Sequence, residues 1–300
     1  MLTAVLLSVV SPTAVAAQEV PYLSLDRVAA GASVCPGGLC QPEGLAQVFG
    51  RLASTEAGGP VPAVRIHQLG DSHTAGGRIT GAVRARLQGR FGYAGPAADP
   101  SAPTQEEPRS GVLLFEYGEV GATLRDLQTW RDDGTPGGLA PWAADLVVLA
   151  FGTNEGFEDG LDGAAYEATL RDEVSRLRAL TPRASILILG APDALRSGLA
   201  GGCSADGLRA PPPSLAVVRD VQRRVAADMG VAFWDWHGRM GGDCSADRLA
   251  LMADPYVRGD RVHFTGAGAD WIGGVMAADL LAAYEAWKAG LATAGTGSAD

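Results

Sequence analysis

Lysine is almost absent from this chain of 300 residues: Lys288 is the only one, and the other basic residues are arginines. The formal net charge is −10, and no cluster of basic residues is long enough to neutralise a row of phosphates. The composition therefore excludes nucleic acid as a partner. The acidic balance also argues against adhesion of the chain to anionic lipid.

Histidine is scarce as well, with four in the chain, and none stands in an HExxH or a two-histidine, one-carboxylate spacing. The cysteines form no CxxC pair of the kind that zinc prefers. We therefore expect no metal site and no cofactor. His67, within a predicted strand, and His237, in a predicted loop, are interpreted as structural residues.

No apolar run is long enough to span a bilayer, so stable membrane insertion is not expected. Residues 2–10 are mostly apolar and are followed by Ala14-Val15-Ala16, which is typical of an export signal that ends at residue 17. No basic residue precedes the run, and a plain apolar tail is the alternative. The export reading predicts a secreted or periplasmic bacterial protein.

The four cysteines, Cys35, Cys40, Cys203 and Cys244, allow three pairings. We expect Cys35 to pair with Cys40, because they are close in sequence. Cys203 and Cys244 lie in two similar Gly-Gly loops and form the second expected pair. Such bridges persist in an oxidising compartment, whereas four unpaired thiols are the alternative.

The order of apolar segments indicates an α/β fold. Hydrophobic residues make up 47% of the chain and charged residues 19%, which is enough apolar material for a large core. Predicted strands cover residues 64–69, 112–117, 146–151, 186–189 and 231–234, and predicted helices cover residues 42–54, 78–90, 124–130, 214–229 and 267–287, with another around Tyr166, Leu170, Val174 and Leu177. Alternation of this kind predicts a three-layer α/β/α sandwich with a five-stranded parallel sheet, whose ligand site lies at the carboxyl ends of the strands.

The predicted domain organisation is simple. After the signal at residues 1–17, an N-terminal extension at residues 18–60 packs on a single domain at residues 61–289. Residues 21–41 are expected to be irregular. Residues 290–300 are small and polar and are expected to form a disordered tail. The protein is expected to be a monomer.

Two motifs with polar side chains follow predicted strands directly. A Gly-Asp-Ser-His motif at residues 70–73 places Ser72 at a strand end, where a helix is about to begin. This motif alone is weak, since it is also a good turn sequence, and Thr74 distinguishes it from the G-x-S-x-G elbow. A Gly-Thr-Asn-Glu motif at residues 152–155 places Asn154 where its amide can donate to an oxyanion. A loop asparagine bonded to its own backbone is the alternative.

Two further elements complete the set. Asp260 and His263 stand three residues apart before the last helix, a spacing that puts both side chains on one side of a turn. A serine hydroxyl needs such a base, and the base needs an acid to fix its tautomer. A surface aspartate with a half-buried histidine is the alternative. Gly121 follows the second strand and lacks a Cβ, so its N–H could approach a substrate closely; a glycine at the start of a helix is the alternative.

Taken together and in this order, these blocks resemble the SGNH/GDSL hydrolases over residues 62–288. The resemblance implies a flavodoxin-like sandwich and a serine carboxylic ester hydrolase. It implies that Ser72 is the nucleophile, His263 the base and Asp260 the group that orients it. It also implies an oxyanion hole formed by the Ser72 and Gly121 N–H groups and by Asn154. Asp71, His73 and Glu155 are candidate substrate-binding residues, and Glu155 departs from the aspartate that most members carry.

A narrower resemblance, carried by residues 69–74, 152–155, 234–236 and 240–242, is to the periplasmic peptidoglycan O-acetylesterases of Gram-negative bacteria. Those proteins usually carry a β-rich inserted domain between the first and second blocks, where this chain has only residues 93–110. The missing insert leaves the polymeric substrate less certain than the chemistry. Trp234 and Trp236 could stack on a sugar, although a core role is more common for such aromatics.

Four functions follow as hypotheses. The first is a carbohydrate O-acetylesterase that acts on peptidoglycan, with an acetylated glycan or another small ester as substrate. The second is a general lipid or aryl esterase, similar to lysophospholipases or arylesterases, which needs an apolar groove. The third is an O-acetyltransferase that uses the same residues, and the fourth is a wall-binding module with a degenerate site.

Overall fold

The structure is a computed structural model that describes residues 33–58, 62–94, 110–130 and 144–296. The predicted signal segment lies outside these ranges. So do residues 95–109, which belong to the interval 93–110 between the first and second sequence blocks. Within the described residues, no helix is long and apolar enough to cross a membrane.

The central sheet contains the five predicted parallel strands. The strands are, in chain order, β1 (Leu39–Cys40), β2 (Val64–Gly70), β3 (Val112–Gly118), β4 (Leu146–Ala150), β5 (Ser185–Leu189), β6 (Arg196–Ser197), β7 (Gly201–Gly202), β8 (Leu208–Ala210) and β9 (Ala232–Trp234). The main sheet has the order β1-β9-β5-β4-β2-β3, and every neighbouring pair from β9 to β3 is parallel. The predicted α/β sandwich is confirmed.

Helices cover both faces of this sheet. They are α1 (Ala46–Glu56), α2 (Ser72–Ala75), α3 (Arg78–Phe91), α4 (Asp126–Thr129), α5 (Thr153–Gly156), α6 (Gly163–Leu180), α7 (Pro213–Met229), α8 (Trp236–Met240), α9 (Ser245–Ala250) and α10 (Gly266–Thr296), with 3-10 turns at Pro36–Gly38 and Pro42–Leu45. One core cluster joins α1, α3 and α10 to the sheet, and a second joins α6 and α7 to its other face. Strand β4 shows the alternation, because Val148 belongs to the first cluster and Val147 and Leu149 to the second.

Three features differ from the sequence expectations. Residues 21–41 were expected to be irregular, but β1 adds a sixth, antiparallel strand beside β9. A second sheet of order β6-β8-β7 forms between β5 and α7. Helix α10 continues to Thr296, past the start of the expected disordered tail at Gly290.

Both expected disulfides are present. Cys35 is bonded to Cys40, and Cys203 to Cys244. The first bridge holds the segment that carries β1 against the sheet. The second joins the small sheet to the turn before α9. Two bridges fit a protein that folds in an oxidising compartment.

We expect the two bridges to differ in their effect on stability. The residues they join are 41 positions apart for Cys203–Cys244 and 5 for Cys35–Cys40. In the chain-entropy view, removing Cys203–Cys244 by double Cys→Ala substitution lowers the free energy of unfolding by about 4 kcal/mol. Removing Cys35–Cys40 in the same way lowers it by about 2 kcal/mol. Equilibrium urea unfolding of the two double variants measures the difference. A larger loss for the short bridge would contradict this expectation.

Candidate active site

Glycines at two strand ends allow the turn that carries Ser72 to lie against the sheet edge. A Cβ on Gly70 would stand 2.7 Å from the carbonyl oxygen of Ala150, and a Cβ on Gly118 would stand 2.3 Å from the Ala75 nitrogen. Between them, the Asp71 carboxylate caps α2 by accepting from the His73 N–H. Ser72 is therefore the first residue of a short helix at the carboxyl end of β2, where the sequence places it.

Ser72, His263 and Asp260 form a continuous hydrogen-bonded chain. The Ser72 Oγ lies 3.0 Å from His263 Nε2, and His263 Nδ1 lies 2.8 Å from Asp260 Oδ2. A carboxylate can only accept, so Nδ1 carries the proton and Nε2 is left to accept from the Ser72 hydroxyl. This tautomer is the one that can take up the serine proton.

The Asp260 carboxylate is fixed by its own loop. Its Oδ1 accepts the N–H groups of Val262 and His263 at 2.9 and 3.0 Å. Burial raises its pKa, but these two hydrogen bonds and the one from the His263 ring outweigh burial and hold the pKa below its usual value. The Asp260 carboxylate is therefore charged at neutral pH.

Arg261 holds the same loop in an unusual backbone conformation. Its φ is 59°, in the left-handed region that side chains other than glycine rarely adopt. The Arg261 Nε donates to Asp247 Oδ1 at 2.9 Å, and the Arg261 carbonyl accepts from the Leu195 N–H at 3.0 Å. Both contacts reach the loop from outside and keep Asp260 and His263 in register with the sheet edge.

The predicted oxyanion donors lie on two neighbouring loops. Gly121 adopts a φ of 84°, which explains the glycine, whereas a Cβ there would meet nothing within 4 Å. The expected close approach of the Gly121 N–H to a substrate stays a prediction. Asn154 opens α5 after β4, and its Nδ2 donates to the Ala122 carbonyl at 2.8 Å. The second N–H of that amide is available to a ligand.

Glu155, a candidate substrate-binding residue, is directed away from the cleft. Its side chain is buried, and Oε1 accepts the Leu124 N–H at 2.6 Å. Burial and the nearby Asp71 charge raise its pKa to about 7 against the lowering effect of backbone donors such as Leu124. Glu155 and Asn154 thus hold the loop of residues 121–124 from two sides. The longer glutamate reaches Leu124 by a contact that the sequence does not reveal.

Asp71 and His73, the other two candidates, are also buried, at 1% and 6% exposure. Asp71 contacts the backbone and ring of His73 instead of facing solvent. The His73 ring lies beneath the Ser72 turn and stacks on His263, with 5.4 Å between ring centroids. A direct substrate contact is thereby replaced by internal positioning for Asp71 and Glu155.

An open cleft of about 520 Å³ lies beside Ser72 and His263. Its walls include Arg78, Ile79, Val120, Arg258, Phe264, Thr265 and Ala269. Sequence reasoning missed Arg258, although it stands five residues before His263. Arg78 is paired with Asp270, whereas within the described ranges the Arg258 guanidinium has no partner. Arg258 is therefore an exposed cation without a partner among the described residues, and it faces the cleft.

Two aromatic residues proposed as a sugar platform are instead core residues. Trp234 and Trp236 are 1% and 3% exposed, and the Trp234 Nε1 donates to Asp279 Oδ2 at 2.8 Å. His67 lies within β2 as predicted, and burial lowers its pKa to about 4. His237 lies in α8 rather than in a loop and contacts Asp243.

Within the described residues, one group of side chains has the composition of a metal site. Ligand atoms of Asp193, His237 and Asp243 lie within 4.8 Å of one another. The Arg219 guanidinium stands 3.8 Å from Asp243 and supplies positive charge there. None of these residues lines the cleft, so the chemistry at Ser72 can be described without them.

Comparison with known proteins agrees with this geometry. Residues 69–271 match the GDSL-like lipase/acylhydrolase family model. No curated protein matches the sequence. A solved peptidoglycan O-acetylesterase is 24% identical, with a TM-score of 0.70 over 80% of this chain and 96% of that one.

Two other solved structures share the fold at lower similarity. An α/β-hydrolase enzyme from the metagenome of Lake Arreo, Spain, is 21% identical, with a TM-score of 0.51, covering 75% of this chain and 97% of that one. An acetylxylan esterase from Geobacillus stearothermophilus is 17% identical, with a TM-score of 0.50, covering 74% and 96%. The family model spans two thirds of the chain, from β2 into α10, and so covers every loop of the site. The chain belongs to the GDSL-like lipase/acylhydrolase family of carboxylic ester hydrolases.

Proposed function

We propose that the protein is a serine esterase that removes O-acetyl groups from a glycan, with peptidoglycan as the natural polymer. The hydrogen-bonded chain from Ser72 through His263 to Asp260 at the sheet edge carries the proposal. The two disulfides fit a protein that works outside the cytoplasm, as a secreted or periplasmic enzyme.

The proposed reaction has two halves. The Ser72 Oγ attacks the acetyl carbonyl carbon while His263 Nε2 takes the serine proton, and the same proton passes to the sugar oxygen as the C–O bond breaks. Water then attacks the acetyl-serine, giving its proton to His263. Acetate leaves, and the proton returns to Ser72. Asp260 stays charged throughout and stabilises the imidazolium.

The negative oxygen of each tetrahedral intermediate needs donors that are already in place. The Ser72 N–H at the start of α2, the Gly121 N–H and the free N–H of Asn154 are the proposed donors. Asn154 is held by Ala122, on the loop that carries Gly121, so these two donors are positioned by a mutual contact. No metal takes part in this scheme.

The substrate class is tested by acetate release from O-acetylated peptidoglycan, measured beside para-nitrophenyl acetate and O-acetylated xylan. Preference for peptidoglycan, with activity abolished in Ser72→Ala, supports the proposal. Preference for acyl chains of about eight carbons or more would favour a lipid esterase. Acetyl transfer to an added sugar in excess of hydrolysis would identify a transferase, and retained glycan binding without turnover would identify a binding module.

Arg258 offers a second test of the substrate. Peptidoglycan carries carboxylates on its peptides, and the Arg258 cation faces the cleft. We expect Arg258→Gln to lower kcat/KM for O-acetylated peptidoglycan by about three- to tenfold and to weaken its salt dependence, with little change for para-nitrophenyl acetate. Arg183→Gln, an exposed arginine before β5 at the opposite sheet edge, is the control. Equal losses on both substrates would argue against recognition of charge.

A further inference from the structure

The ring of His73 is bonded at both nitrogens to groups from different parts of the chain. Nδ1 lies 3.1 Å from Asp71 Oδ1, and Nε2 lies 3.1 Å from the carbonyl oxygen of Val262. The ring is 6% exposed. Val262 belongs to the loop of Asp260 and His263, so this ring joins the nucleophile turn to the loop of the proposed base.

Both partners of this ring are acceptors. A carbonyl oxygen has no hydrogen to give, so the Val262 contact requires an N–H at Nε2. The same Asp71 oxygen already accepts the His73 backbone N–H at 2.9 Å, and a carboxylate oxygen can only accept, so the ring contact requires a second N–H at Nδ1. A neutral imidazole carries only one N–H. Two satisfied contacts therefore demand the doubly protonated, positively charged ring.

The surroundings of the ring support the charged form. The titratable groups that face it are Asp71 on its own turn, and Asp260 and His263 on the opposite loop; Trp236 and Phe264 contribute only uncharged ring edges. Burial by itself lowers the pKa of His73. The Asp71 carboxylate, the Val262 carbonyl and the more distant Asp260 charge outweigh burial and raise that pKa.

We propose that His73 is an imidazolium in the working enzyme and a positioning residue that ties the Asp260–His263 loop to the Ser72 turn. The two N–H groups of the charged ring hold Asp71 on one side and the Val262 carbonyl on the other, and the ring stacks on His263 with 5.4 Å between the ring centroids. The proposed base is thereby held within reach of Ser72. This catalytic consequence rests on the function proposed above, whereas the charge state of the ring does not.

NMR of the imidazole nitrogens in the resting protein tests the charge state directly. The chain has four histidines, and the spectrum of His73→Gln identifies the signals of His73 by difference. We expect both His73 nitrogens to stay protonated above the pH at which an ordinary imidazole loses its proton, because the pKa of His73 is raised. In Asp71→Asn, which keeps an N-cap acceptor, the ring is expected to lose one proton at lower pH than in the unmodified protein. A neutral His73 at about pH 7 in the unmodified protein would overturn the proposal.

The kinetics of para-nitrophenyl acetate hydrolysis test the consequence for the proposed base. His73→Gln loses the ring that links the two loops, so kcat per folded molecule is expected to fall by about tenfold with little change in KM. Circular dichroism measures the folded fraction, and an unchanged kcat per folded molecule would overturn the positioning role. His237→Gln, in the same assay, is the matched control. Because the NMR test needs no turnover, failure of the esterase proposal and failure of this inference give different results.

Discussion

Replacing Ser72 with alanine is expected to lower kcat/KM for para-nitrophenyl acetate by about 10⁴-fold or more. The Oγ that lies 3.0 Å from His263 is the atom proposed to form the acetyl-enzyme, and alanine has no atom to replace it. The oxyanion donors remain, so a small residual rate above that of water is expected. A para-nitrophenol release assay measures the loss, at an enzyme concentration high enough to distinguish the residual rate from that of a contaminant.

The matched control is Ser54→Ala. Ser54 is an exposed helical serine whose Oγ donates to the Gly50 carbonyl, and its loss is expected to leave kcat/KM unchanged. Circular dichroism and thermal unfolding of both variants show whether the fold is kept. Appreciable turnover by a folded Ser72→Ala protein would remove the nucleophile assignment and the proposed reaction with it.

The second large effect is expected from His263→Gln, with a loss in kcat/KM of about 10³- to 10⁴-fold. Glutamine can still bond Ser72 or Asp260, but it cannot take up and return the serine proton. The His263 side chain is 37% exposed, so added imidazole can reach the space left in His263→Gly. Partial recovery of activity by imidazole is therefore expected in that variant.

The control for this prediction is His237→Gln. His237 lies in α8 and forms a hydrogen bond with Asp243 in the turn that follows. Neither residue lines the cleft, so His237→Gln is expected to leave kcat/KM unchanged. If His263→Gln kept most of the activity, the general base would have to be another group. A loss in His237→Gln as large as that in His263→Gln would point instead to a general loss of structure.

The main sheet could be predicted because β4 and β9 are short apolar runs, β5 is apolar after its first residue, and β2 and β3 are mostly apolar segments that end at a glycine. The two-residue strand β1 could not, since a strand of that length has no periodicity, and its place beside β9 depends on the Cys35–Cys40 loop. The small sheet of β6, β7 and β8 could not be predicted either, because its strands are two or three residues long and β7 consists of two glycines, which show no hydrophobic alternation. The end of α10 was misplaced because the small and polar residues from Gly290 onward predicted a disordered tail, whereas the helix continues to Thr296.

The parts of the site that depend on residue type and on spacing along the chain could be predicted from the sequence. Asp260 and His263 stand three residues apart, and their side chains do lie together. What the sequence could not supply are contacts between loops that are distant in the chain. Glu155 reaches Leu124 and His73 reaches Val262 across gaps of 31 and 189 residues. Glu155 braces another loop, whereas His73 both braces a loop and lines the cleft, so a substrate contact of His73 stays a prediction.

Several hydrogen bonds join different loops around Ser72. Among them are Asn154 to Ala122, Leu124 to Glu155, His73 to Val262, and Leu195 to Arg261. The loops are therefore ordered when the chain folds, and a substrate does not have to supply the entropy cost of ordering them. An acetyl ester buries little surface and has little affinity to contribute. Such a substrate suits an enzyme whose proposed oxyanion donors are in place before it arrives, and a small aryl acetate is then expected to need no further ordering of these loops.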